Sequence, residues 1–70
     1  MKQYLVIIEK ENNSYGAYVP DLPGCVAVAE SKEEVSGLIK EAIEMHLEAM
    51  NEDNESIPEP KSTPLQVIVN

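Results

Sequence analysis

A single α+β domain, with strands first and one long helix late, is the fold class this 70-residue sequence predicts. Three short β-branched, aromatic or apolar runs are separated by turn chemistry and a Pro-Gly break. A Ser-capped stretch of apolar residues at three- and four-residue spacing follows, and then a proline-bearing linker and a final β-branched run. The expected order is β-β-β-α-β.

Tyr4-Leu5-Val6-Ile7-Ile8 is apolar on both faces and too short for a helix, so it reads as an internal first strand within residues 2–10. Glu11-Asn12-Asn13-Ser14 is turn-forming, and Tyr15–Val19 pairs back as the second strand of a hairpin. Pro20-Asp21-Leu22-Pro23-Gly24 interrupts the ladder because proline supplies no N–H, and Cys25–Ala29 resumes as strand three. Ser31 is the N-cap of the helix and Glu34 completes a capping box. Val35, Leu38, Ile39, Ala42, Ile43, His46, Ala49 and Met50 form the apolar stripe; Glu34, Gly37, Glu41, Glu44, Glu48 and Glu52 lie opposite. Pro58, Pro60 and Pro64 hold the linker extended, and Leu65–Val69 is expected as strand four.

An antiparallel meander followed by a right-handed crossover predicts a mixed four-stranded sheet of order 3-2-1-4 with the helix on one face. The other face stays apolar, since Leu5 and Ile7 point away from Tyr4, Val6 and Ile8, and Val26 and Val28 away from Cys25, Ala27 and Ala29. Such a face asks for a cover. A homodimer or higher oligomer is the simplest one, with Leu5, Ile7 and the overhanging helix residues Leu47 and Met50 as its candidate contacts.

Charge restricts function further. Thirteen acids face five lysines with no arginine, a net charge of −8. The imbalance is local: residues 30–59 hold ten acids against Lys32 and Lys40, and the remainder is neutral. Nucleic-acid binding needs a basic footprint, so it is not expected; a basic protein partner is. Asp21, Glu41, Glu44 and Glu48 are the candidate partner-binding residues, although a loop aspartate is most simply a turn residue and an acidic stripe a solvated face. A lone cysteine excludes an intrachain disulfide and, with no secretory or membrane-length apolar run, suggests the cytoplasm. His46 has no His or Cys neighbour at ligand spacing, so it is read as a packed or interface histidine, and Cys25, with no nearby cation, as a small buried apolar residue. Tyr15 and Tyr18 are read as strand residues, one per face. No catalytic, metal or cofactor site is expected, and no enzyme.

Several of these pieces occur together: the aromatic-led first strand, Tyr15-Gly16-Ala17-Tyr18-Val19, Pro20-Asp21-Leu22-Pro23-Gly24-Cys25, Ser31-Lys32-Glu33-Glu34, Glu41–Glu48 and Ile57-Pro58-Glu59-Pro60. Over nearly the whole chain this set resembles the HicB-like antitoxin domain. The resemblance implies a truncated RNase H-like fold and an antitoxin that neutralises a small basic mRNA-cleaving toxin of the HicA type. Full-length members of that family usually add a C-terminal DNA-binding segment. Residues 1–70 are expected to be a single HicB-like domain without one, so operator binding is not expected. A stand-alone oligomeric HicB-like module without a cognate toxin is the alternative. A degenerate RNase H-like hydrolase is disfavoured, because strand one offers only Glu9 and the helix acids face away from the sheet.

Overall fold

A computed structural model describes residues 2–70. The hairpin forms where the asparagines demand it. Strand β1, Ile7–Glu11, turns through Asn12-Asn13 into β2, Ser14–Tyr18, with Glu11 opposite Ser14 and Ile7 opposite Tyr18. Asn12 adopts φ 38°, a left-handed conformation that asparagine tolerates better than most residues. Strand β3, Val26–Ala29, pairs antiparallel to β2, so the sheet order is β1-β2-β3.

The ladder lies further along β1 than the apolar run suggested. Residues 4–6 lie outside it: continuing the register would set Leu5 opposite Pro20, which brings no donor, while Val19 N–H faces β3 and bonds to Cys25 O at 3.2 Å. The interruption is itself folded. Leu22 N–H donates to Val19 O at 3.0 Å and Cys25 N–H to Leu22 O at 3.1 Å, and Gly24 turns the chain at φ 85°, where a side chain would be strained. This loop drives Val19, Leu22 and Cys25 inward. Together with Ala17, Val35 and Ile39 they are the buried core, in which Leu22 and Val35 are wholly enclosed.

Helix α1, Lys32–Glu52, begins at Ser31 as expected. The Ser31 hydroxyl accepts from Glu34 N–H at 3.1 Å, while the Glu34 carboxylate accepts from that hydroxyl at 3.1 Å rather than from the Ser31 backbone. At its other end Glu55 N–H reaches Met50 O at 2.9 Å and Asn54 N–H reaches Asn51 O at 3.2 Å, with Asn54 at φ 58°. This is a Schellman stop with asparagine in the left-handed position. Gly37 sits mid-helix, exposed, with open space where a Cβ would project. Gly37→Ala is therefore expected to stabilise the protein by about 0.5–1 kcal/mol, read as a raised urea midpoint at unchanged slope.

The stripe packs across β2 and β3, with Val35 and Ile39 buried and Ala42, Ile43 and Leu47 partly so. Leu38 and Ala49, placed on the stripe from their spacing, are exposed, because only its centre line meets the sheet. Since the helix crosses β2 and β3, its packing on β1 is slight. An open groove of about 280 Å³ separates the two, lined by Val6, Ile8, Ser36, Ile39, Lys40 and Ile43.

The sheet is also smaller than expected. Leu65–Val69 makes no strand, so among the described residues the sheet has three antiparallel strands rather than four mixed ones in order 3-2-1-4. Thr63–Gln66 face Leu5–Ile8 across an open cleft and do not close on the β1 edge. Leu65, Val67, Ile68 and Val69 instead remain 71–95% exposed.

Candidate functional site

Two surfaces stand out, an acidic helix face and an apolar sheet edge with its adjoining face. Glu41, Glu44 and Glu48 are all exposed on α1, as 100° spacing required, and no cation lies in the helix's last turn. Like charges four apart, as in Glu44–Glu48, cost a few tenths of a kcal/mol. The face is therefore held acidic against its own repulsion.

Asp21 is drawn elsewhere. One carboxylate oxygen accepts from Lys61 N–H and Ser62 N–H, both at 3.0 Å, and the other accepts from the Ser62 hydroxyl at 3.1 Å. This side chain pins the linker to the β2–β3 loop, so the turn reading of Asp21 gains an internal partner forty residues away. Lys61 and Ser62 were not singled out by the sequence, since nothing in their spacing announces a bond to Asp21. Two further ties hold the linker: the Tyr4 hydroxyl donates to Pro58 O, and Lys2 Nζ donates to Glu59 at 2.6 Å.

The bonds from the Ser62 and Lys61 amides hold the Asp21 carboxyl below the usual carboxylate range. A group whose folded pKa is depressed stabilises the fold above its unfolded pKa, about 3.9 for aspartate, and loses that contribution as pH falls through the folded value. Asp21→Asn is thus expected to lower the melting temperature at pH 7, with the gap to wild type closing as the pH drops below about 4. A gap that stays constant across that range would rule the pin out. The Cys25 thiol is pushed up by burial, consistent with a packed rather than reactive sulfur.

The apolar surface lies on the side of the sheet away from α1. The register places Ile7, Tyr18 and Val26 in one cross-strand row, with Val28 in the next row on the same face. Tyr18, Val26 and Val28 are 41%, 63% and 69% exposed. Tyr15 takes the other face and packs against the core, so the tyrosines divide as expected. Leu5 and Ile7 are half-buried at the β1 edge, where they line an open cleft of about 470 Å³ with Val6, Ile8 and residues 63–66. Leu47 packs on its own core, whereas Met50 is half-buried at the helix end. His46 is half-buried on α1. Among the described residues no three of His, Cys, Asp and Glu are grouped to hold a metal ion, and no helix is long and apolar enough to cross a membrane.

Comparison with known proteins gives this arrangement a context. Residues 4–69 match the family described as "HicB_like antitoxin of bacterial toxin-antitoxin system". An uncharacterized 14.9 kDa protein from the rep-hol intergenic region of Haemophilus phage HP1 is 42% identical over 67 residues, 96% of this chain and 49% of the phage protein. A UPF0150 protein of Thermoplasma acidophilum is 40% identical over 58 residues, 83% of this chain and 84% of that protein. A UPF0150 protein of Helicobacter pylori is 49% identical over 47 residues, covering 67% and 65%. The chain thus spans about half the length of the phage relative, but most of the archaeal one. No solved structure matches it significantly.

Proposed function

Because the chain belongs to the HicB-like antitoxin family of bacterial toxin–antitoxin systems, we propose that it is a non-enzymatic antitoxin domain that binds and neutralises a small basic mRNA-cleaving toxin of the HicA type. The observation that carries this is the exposed Glu41, Glu44, Glu48 face on a chain whose net charge of −8 lies in residues 30–59. A basic toxin is attracted to that face at long range and docks with its own cations against it, which also blocks the surface it uses on RNA. The same charge repels nucleic acid, so inhibition proceeds by protein contact, in the cytoplasm where the message is.

The RNase H-like reading belongs to this proposal. Three antiparallel strands and a following helix make the opening of that fold, and a strand beside β1 would complete the order 3-2-1-4. A second reading, a stand-alone oligomeric HicB-like module, draws its support from the uncovered Tyr18, Val26 and Val28. The test is to co-purify the chain with the product of the adjacent gene and assay RNA cleavage. The expected outcome is a stable complex and suppressed cleavage. A small basic neighbour that cleaves RNA equally well in the presence of this chain would sink the antitoxin reading.

A further inference from the structure

Residues 63–70 contain no charged side chain, and neither do residues 3–8. On a molecule of net charge −8 these two segments are where a second, equally acidic copy can approach without repulsion. They also lie together: Thr63, Pro64, Leu65 and Gln66 flank Leu5, Val6, Ile7 and Ile8 across the cleft of about 470 Å³. Among the described residues the outer edge of β1 has no strand partner, and Leu65, Val67, Ile68 and Val69 are 71–95% exposed. An unpaired edge and an unpaired β-branched segment on one chain are complementary elements.

We propose that Leu65–Val69 of one copy lies along the β1 edge of a second copy, reciprocally, and supplies the fourth strand in trans. The occupant of the cleft is this chain's own segment, because a partner chosen for its charge finds none to pair with there. Exchange of identical elements closes as a two-fold dimer. The Asp21 pin and the Tyr4–Pro58 bond hold residues 58–62 in place, so only the segment beyond them needs to move. Glu41, Glu44 and Glu48 remain on α1, outside the new pairing. The inference rests on the free edge and not on the toxin, so the two readings stand or fall separately.

Successive N–H groups of a strand point to opposite edges, so either residue 67 or residue 68 must donate into the β1 ladder. Val67→Pro and Ile68→Pro, made separately in the full chain, remove one donor each, and both sites are too exposed for the change to unfold the chain. Light scattering after gel filtration over a hundredfold concentration range is expected to give the wild type twice the 7.7 kDa chain mass. At least one variant is expected at the single-chain mass, with unchanged far-UV circular dichroism. A wild type of single-chain mass throughout overturns the proposal, and protected amides at 65–69 in that species would show the strand closing on its own sheet. Dimers retained by both variants would also overturn it, leaving the Tyr18, Val26, Val28 face as the contact.

Discussion

Leu22→Ala is expected to cost about 2–5 kcal/mol, close to the whole stability of the domain. For 70 residues the free energy of unfolding is on the order of 4–10 kcal/mol, since native proteins hold roughly 0.05–0.15 kcal/mol per residue. Leu22 has no exposed surface and sits among six buried residues, three of which come from its own loop. With so few partners, the site cannot be refilled by a neighbour, and the Val19–Leu22 and Leu22–Cys25 turn bonds are expected to loosen with it. Urea unfolding followed by circular dichroism measures the loss. Met45→Ala, at a position 69% exposed, is the companion expected to stay within about 0.5 kcal/mol of wild type. Equal effects at the two sites would mean that the loop is not the centre of the core.

The second large effect is on association. The triple change Glu41→Gln, Glu44→Gln, Glu48→Gln takes the net charge from −8 to −5 without altering side-chain length. It is expected to slow binding to a basic toxin by about 10–100-fold at low salt, with the difference shrinking as ionic strength rises. Stability is expected to move the other way, up by a few tenths of a kcal/mol, because like-charge pairs four residues apart are relieved. Opposite signs on affinity and stability separate loss of an interface from loss of a fold. Surface-plasmon rates at two salt concentrations and a thermal melt supply both numbers. An association rate that does not change would move the interface off this face.

The hairpin, the Ser31 cap and the helix were legible because each is a local event, specified by residues within four or five positions of one another. The two-sided apolar character of β3 was legible for the same reason, since strand alternation is strict. What was missed is non-local. The start of β1 depends on Pro20, which denies its partner strand a continuation, and the Asp21 pin depends on amides forty positions away. The expected fourth strand depends on whether residues 65–69 close against a β1 edge some sixty positions earlier in the chain, which their own β-branched pattern does not encode. Leu38 shows the same limit, for its spacing placed it on the stripe while the offset of the helix left it 44% exposed. At the candidate site, the acidity of Glu41, Glu44 and Glu48 was plain from the sequence, whereas the bonding of Asp21 within its own chain was not.

The ties from Pro58 and Glu59 back to Tyr4 and Lys2 join residues 54 and 57 positions apart, whereas the meander and helix are built almost entirely from near neighbours. Closing so long a loop is entropically the most expensive step, so it comes last when the chain folds. Three strands and a capped helix can therefore assemble before Pro58 and Glu59 dock. During that interval the β1 edge has neither linker nor tail beside it. A neighbouring copy of the chain would meet it first.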